Sequence, residues 1–375
     1  MRIGIDARFF GPKDKGFGRY TQKLVENLEK LDSPTPRLRR ASPQNQYFIF
    51  LRKDSWDEYQ PQNPRLRQGF GGQANFQKVL ADYKWYGIKE QILLPLKLKK
   101  YKIDLVHFTH FNVPIFYRGK FIVTIHDLTL RHFPTFRRSL KNLIFYPFKK
   151  LAYRIVFRYA IKNSEKIIAI SEYTKQDILK HYPVKDGAGK INPDKIKVIY
   201  EGIAGGPNFQ FSNSNFQTNS KFQFSKPYVL YVGNDYPHKN LKRLKLAFEK
   251  LRSEGLDYDL ILITKFVSEE ELDNLYRNAS LFVFPSLSEG FGLPPLEAMA
   301  RGVPVASSNA TCLPEILGDA ALYFNPLDIH DMAEKIKKAL TDESLRKNLI
   351  EKGFEQIKKY SWEKMAEETL KIYSK

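Results

Sequence analysis

Two glutamates, Glu289 and Glu297, bracket a turn of glycines and prolines in the stretch Ser288-Glu289-Gly290-Phe291-Gly292-Leu293-Pro294-Pro295-Leu296-Glu297. The stretch follows the apolar run Leu281-Phe282-Val283-Phe284, which Pro285 halts. Pro294 and Pro295 suit the first turn of a helix, and Gly302 is placed to cap its far end. Val303-Pro304-Val305-Ala306 then reads as the next strand. Strand, glycine loop, helix and strand form a βαβ unit whose helix start can receive an anion. Glu289 lies in the loop, within reach of a hydroxyl. Glu297 lies in the helix, where its two acceptor oxygens match two neighbouring hydroxyl donors. The layout suits a sugar and a ribose held around a phosphate. The plainer readings are a solvated loop carboxylate for Glu289, and for Glu297 a carboxylate favoured near a helix start by ~0.3–1 kcal/mol.

Three further groups could join that chemistry. Lys239 follows the apolar run Tyr228–Val232 and Gly233, and a cation there can stabilise charge on a departing diphosphate. His238 precedes it; a neutral imidazole adds less charge. His126 ends the buried run Phe121–Ile125, as a reactive group or as a core histidine bonded to backbone. No metal cluster is expected: His107 and His110 lie three apart without a carboxylate or cysteine partner at metal spacing.

The elements that must position these groups alternate along the chain. Arg2–Asp6, Tyr47–Leu51, Leu105–Phe108, Phe121–Ile125 and Lys166–Ile170 read as strands, and Gly16-Phe17-Gly18-Arg19 as a glycine turn opening a helix to Leu31. Ile92–Leu98 reads as helical. Such alternation implies α/β architecture with a parallel sheet. A second set runs through Tyr228–Gly233, Leu260–Ile263, Leu281–Phe284 and Val303–Ala306. Between the sets, 205–226 is a low-complexity stretch read as a linker. The expected domains are therefore 1–204, 227–360 and a terminal helical segment 361–375. Ser33–Asn45 and Arg65–Ala74 read as surface insertions.

Charge divides along the same line. The net charge is +20, yet residues 1–200 hold 39 Lys+Arg against 17 Asp+Glu, a balance of +22 that leaves −2 for the rest. Between Asp127 and Glu165 there is no acidic residue, and nine Lys or Arg alternate with aromatics such as Phe133, Tyr146, Phe148 and Phe157. That mixture fits an anionic membrane surface, a solvated face or nucleic acid. The membrane surface is the partner expected, and nucleic acid is not. The single cysteine, Cys312, excludes an internal disulfide framework, and no apolar run approaches the ~20 residues of a membrane span. The start Met1–Asp6 reads as a strand, not a secretion signal, so the expected location is cytoplasmic, peripheral to the inner face of the membrane.

Glu289-Gly290-Phe291-Gly292-Leu293-Pro294 with Glu297 resembles the signature of retaining glycosyltransferases of the GT-B fold, within the large group 1 family that includes bacterial mannosyltransferases. Gly4-Ile5-Asp6-Ala7-Arg8, Gly16-Phe17-Gly18-Arg19-Tyr20-Thr21, Thr124-Ile125-His126-Asp127-Leu128, Ser171-Glu172-Tyr173-Thr174-Lys175, Val198-Ile199-Tyr200-Glu201-Gly202, Pro237-His238-Lys239-Asn240 and Leu313-Pro314-Glu315 extend it along most of the chain. The resemblance implies two Rossmann-like domains facing a central cleft, with a nucleotide-sugar on the C-terminal one, an acceptor on the N-terminal one, and a last helix crossing back. It implies Glu289 on the donor hexose, Glu297 on the ribose, and Lys239 with His238 and Gly233 beside the diphosphate. Gly290, Phe291, Gly292 and Leu293 would present backbone N–H groups to phosphate and sugar. Gly16, Phe17 and Gly18 would lie near the diphosphate and acceptor, and His126 near the anomeric carbon. Arg19 and Asp127 would hold the acceptor or their own loops. The catalytic residues expected are thus His126, Lys239 and Glu289, with no cofactor, no metal, and GDP-mannose as the favoured donor.

One departure stands out. Lys265-Phe266-Val267-Ser268-Glu269 follows Thr264 at once, where the family continues through another helix and strand. A βα unit is therefore expected to be missing, opening a sheet edge or removing part of the base wall. The alternative function is a non-catalytic or degenerate nucleotide-sugar-binding copy of the same fold.

Overall fold

The computed structural model describes residues 1–31, 45–60, 76–133, 140–182, 191–203 and 226–374. The insertion around 33–44, the one at 65–74 and residues 205–225 lie outside them. The chain divides into two units: Met1–Leu128 with Phe136–Glu201 and Trp362–Lys375, and Thr129–Thr135 with Gly202–Ser361.

In the first half the elements are β1 (Arg2–Asp6), α1 (Lys15–Leu31), β2 (Gln46–Leu51), β3 (Phe76–Leu80), α2 (Ile88–Lys100), β4 (Leu105–Phe108), β5 (Phe121–Ile125), α3 (Thr129–His132), α4 (Leu140–Asn163), β6 (Lys166–Ala169), α5 (Glu172–His181) and β7 (Ile196–Val198). Then come β8 (Tyr228–Val232), α6 (Leu241–Ser253), β9 (Asp259–Ile263), α7 (Glu269–Arg277), β10 (Leu281–Phe284), α8 (Leu293–Met299), β11 (Val305–Ser308), α9 (Leu313–Leu317), β12 (Ala321–Phe324), α10 (Ile329–Thr341), α11 (Glu343–Ile357) and α12 (Trp362–Tyr373).

The first unit carries a seven-stranded sheet in the order β3-β2-β1-β4-β5-β6-β7, every pair parallel. Its central strands are buried along their whole length, as sheets covered on both faces require. The order reverses between β1 and β4, the place where open α/β sheets bind ligands. Helix α12 packs on α1, and its Tyr373 hydroxyl lies 2.7 Å from His107 Nδ1 in the core. His107 Nε2 meets Thr124 Oγ1 at 2.8 Å, so this histidine is structural.

Helix α1 begins at Lys15, so Gly16 and Gly18 sit inside its first turn and not in a turn before it. The reason is the loop that precedes it. Gly11 folds back with φ +85°, and its N–H donates to Gly18 O at 3.1 Å. A Cβ on Gly18 would lie 2.1 Å from Gly11 O, so only glycine lets the loop lie against the helix.

The second unit holds a five-stranded sheet in the order β12-β11-β10-β8-β9, again all parallel. Its reversal point lies between β8 and β10. Among the described residues β9 pairs only with β8, and all five of its residues are half-buried. The chain leaves β9, is capped at Ser268 by a Ser268–Glu271 capping box, runs through α7, and returns to the other side of β8. Among the described residues β9 is therefore an edge strand of this sheet.

Around α8 the expectation and the structure meet closely. Gly292, with φ +98°, is the N-cap, and Pro294 and Pro295 occupy the first turn. Gly302, with φ +71°, donates to Met299 O at 3.0 Å, while Val303 donates to Ala298 O at 3.1 Å. Those two bonds form a Schellman cap, the termination expected of that glycine. The following strand starts at Val305, two residues later than expected, because Val303 and Pro304 belong to the exit of the cap.

Candidate functional site

The second unit assembles Lys239 and Glu289 at its sheet reversal. Lys239 lies in the loop after β8 and Glu289 in the loop after β10, and these strands are neighbours. Lys239 Nζ donates to Glu289 Oε1 at 2.5 Å, and the two side chains are only 12% and 13% exposed. Lys239 also lies 5.6 Å from the centre of the Phe284 ring.

Three anchors hold the pair. Asn240, buried and left-handed at φ +62°, donates Nδ2 to Pro285 O at 3.1 Å and to Pro326 O at 2.7 Å. The Leu287 N–H donates to His238 O at 2.7 Å, stitching the two loops together. On the far side Glu289 N–H donates to Thr311 Oγ1 at 3.1 Å, and the Cys312 thiol donates to Glu289 O at 3.3 Å and to Phe291 O at 3.4 Å. Burial, with Glu289 nearby, pushes that thiol well up, so it remains a neutral donor. The lone cysteine is therefore part of the loop's support.

The glycines fit their places. A Cβ on Gly233 would come within 2.4 Å of the Tyr231 hydroxyl, and one on Gly292 within 2.9 Å of Leu313 Cδ2. Gly290 is buried, and the Phe291 ring is buried edge-on against Tyr360. Phe291 can therefore meet a ligand only through its backbone, whereas Leu293 is half-buried at the start of α8.

Glu297 is buried on α8, and its Oε2 accepts from the Tyr276 hydroxyl at 3.1 Å. Arg301, one turn on, donates Nη1 to Glu297 O at 3.0 Å and Nε to Asp273 Oδ1 at 2.7 Å. Tyr276 and Asp273 both lie on α7, so this helix fixes the carboxylate's rotamer. His238 is buried with its ring 6.2 Å from Phe133. It flanks Lys239 as part of the packing.

The first unit gathers a second group beyond the ends of β1, β4 and β5. His126 is buried, and its Nε2–H donates to Thr109 O at 2.9 Å while Nδ1 lies 3.1 Å from Glu201 Oε1. A carbonyl can only accept, so Nε2 carries a proton. The Glu201 carboxylate faces the other ring nitrogen, Nδ1. The Phe17 ring meets His126 edge-on at 4.9 Å and His110 at 4.8 Å. Both ring nitrogens of His126 are thus engaged within the first unit. Gly16 is exposed at the helix start, and Arg19 and Asp127 are half-buried.

A buried ion network braces this group. Arg8, fully buried, donates Nε to Asp6 Oδ1 and Nη2 to Asp6 Oδ2 and Glu90 Oε1, each at 2.7 Å. Asn112 Nδ2 donates to the same Glu90 oxygen at 2.7 Å. The exit of β1, the start of α2 and the exit of β4 are thereby tied together.

Sequence reasoning did not single out Glu201, Asn240, Tyr276, Thr311 or the Arg8–Glu90 pair as site residues. Glu201, Asn240 and Arg8 stand inside the matched segments, which was a usable signal. Tyr276 and Thr311 carried none, because their partners are supplied only by the fold.

The comparisons with known proteins agree with this architecture. Residues 259–356 match the family described as glycosyl transferases group 1, and residues 38–204 match glycosyltransferase family 4. Over 306 residues the chain is 30% identical to O-antigen chain mannosyltransferase B of Escherichia coli, covering 74% of this chain and 75% of that one. It is 27% identical over 278 residues to O-antigen chain mannosyltransferase RfbU of Salmonella typhimurium, covering 68% and 69%. Among solved structures it resembles WaaG, a glycosyltransferase involved in lipopolysaccharide biosynthesis, with TM-score 0.68 and 15% identity over 99% of each chain. With its two parallel α/β units and its glutamate-flanked glycine loop, the chain belongs to the group 1 glycosyltransferases and has the GT-B fold.

Proposed function

We propose that this glycosyltransferase moves a hexose, mannose by preference, from a nucleoside diphosphate sugar to a glycan or lipid-linked acceptor in cell-envelope polysaccharide synthesis, with retention at the anomeric carbon. The observation that carries the reading is the Lys239–Glu289 pair at the sheet reversal of the second unit, where α/β sheets bind ligands. Lys239 would meet the diphosphate and stabilise the charge that develops as it leaves. Glu289 would accept from hexose hydroxyls, and Glu297, oriented by Tyr276, from the ribose hydroxyls. The backbone N–H groups of Gly290 to Leu293 would border the phosphates.

In the proposed step the bond from C1 to the phosphate oxygen breaks, and the acceptor oxygen bonds C1 on the same face. The acceptor proton passes to the leaving phosphate. His126, held between Thr109 and Glu201, supports the developing charge near C1, while Arg19 and Asp127 act on the acceptor side. Mannose is favoured because two relatives of this chain are named as mannosyltransferases, which makes GDP-mannose the first donor to try. In this proposal Lys239, and not a metal, meets the leaving charge, so turnover should survive a chelator. The protein would be cytoplasmic, and its basic first 200 residues would hold it peripherally on an anionic membrane.

The test is a screen of GDP-mannose, UDP-glucose and related donors for nucleotide release with the purified full chain. Release from one donor that collapses in Glu289→Ala is the expected result. No release with any donor, or full activity in Glu289→Ala, overturns the proposal. Donor binding without turnover would instead favour a non-catalytic copy of the same fold.

A further inference from the structure

Helix α2 carries two stripes of side chains on opposite sides. Glu90, Leu94 and Leu98 form its buried stripe. Ile88, Ile92 and Leu96 form a second stripe at the same helical spacing, and they are 81%, 48% and 59% exposed, with Leu93 exposed beside them. An exposed leucine is ordinary on a protein surface, but a contiguous outward stripe of three along one helix marks an interaction face. The exposed charges on α2 are Lys89, Lys99 and Lys100, and its one acid, Glu90, is turned inward onto Arg8. The described side chains of α4 repeat the pattern. Phe148, Leu151 and Ile155 are exposed there, among exposed Lys149, Lys150, Arg154 and Arg158.

We infer that the outward face of α2 docks on an anionic lipid bilayer, with Ile88, Ile92 and Leu96 entering the headgroup–acyl boundary and the lysines meeting lipid phosphates. This rests on the proposed membrane partner and assigns it a surface. Charge decides the occupant. Two copies of this face brought together by a twofold axis would set lysine against lysine, whereas anionic headgroups neutralise them. No helix among the described residues is long and apolar enough to cross a membrane. The face has the composition of a helix lying in the interface.

The test is sedimentation of the full chain with vesicles of phosphatidylethanolamine and phosphatidylglycerol, compared with phosphatidylcholine alone. The expected result is strong partition to the anionic vesicles, weakened about a hundredfold in Ile88→Ser/Ile92→Ser/Leu96→Ser. These residues are exposed, so the unfolding midpoint should hold. Should that variant misfold, Lys89→Glu/Lys99→Glu/Lys100→Glu decides, and it must lose binding to the anionic vesicles. Wild-type protein that ignores anionic vesicles overturns the inference, as does a folded triple-serine variant that binds like wild type. So does a wild-type dimer in analytical ultracentrifugation that the serine variant dissolves. Nucleotide release measured without lipid separates the two readings, because docking can stand where donor turnover fails, and the reverse.

Discussion

Replacing Glu289 by glutamine should tighten the binding of a free nucleoside diphosphate while depressing transfer. In the free protein Lys239 Nζ is committed to Glu289 Oε1 at 2.5 Å, with both side chains largely shielded. Two unit charges 4 Å apart at an effective dielectric of 20 attract by ~4 kcal/mol, and desolvation cancels much of that. A net coupling of about 1–2 kcal/mol remains for a pair at this depth. A diphosphate that takes Lys239 must displace this carboxylate and then sit beside its charge. Glu289→Gln keeps the shape and an acceptor oxygen but removes the competing charge. The expected gain for the nucleoside diphosphate is about tenfold, equivalent to ~1.4 kcal/mol. The hexose loses its charged acceptor, so kcat should fall by on the order of a hundredfold. Calorimetric titration with GDP and UDP gives the first quantity, and steady-state nucleotide release gives the second. Unchanged or weaker diphosphate binding together with intact transfer would refute the reasoning, for the pair would then lie away from the diphosphate.

Other consequences follow from single contacts. Tyr276→Phe deletes the hydroxyl that orients Glu297, so the donor KM should rise roughly three- to tenfold with kcat nearly constant; a kcat loss at fixed KM would contradict ribose binding by Glu297. Gly18→Ala sets a Cβ against Gly11 O and should cost about 1–3 kcal/mol in urea unfolding; wild-type stability would show that the loop does not pack there. Glu90→Ala leaves the buried Arg8 guanidinium short of a partner and should cost ~3–5 kcal/mol by the same measurement. Burial, aided by the charge of His126, pushes His107 down from 6.5 to about 3. The unfolded chain therefore takes up a proton that the folded one refuses, and stability is full above pH ~6.5 and falls as pH drops toward ~3, by up to ~1.4 kcal/mol per unit. A His107→Gln variant should show a shallower decline between pH 6.5 and 4.5, and an unaltered slope would assign the effect elsewhere.

Much of the fold was legible in the chain because buried parallel strands are written as unbroken apolar runs. β1, β4, β5, β8 and β10 were found within a residue of their ends. β3, β7 and β12 were not: Phe76–Leu80 follows a polar segment, and Ile196–Val198 is three residues long with Lys197 at its centre. Helix α8 was legible at both ends, because Gly292 and Gly302 must adopt positive φ and the prolines fit its first turn. That β9 ends the second sheet among the described residues required the strand order. By itself the sequence determined the family, the pair of parallel α/β units and the loops that carry Lys239, Glu289 and Glu297, for these depend on local residue types and spacing. Only the tertiary structure decided that Lys239 and Glu289 touch, that Tyr276 sets Glu297, and that Glu201 and Thr109 engage both nitrogens of His126. Those pairings join residues far apart in the chain, and no local period records which strands become neighbours.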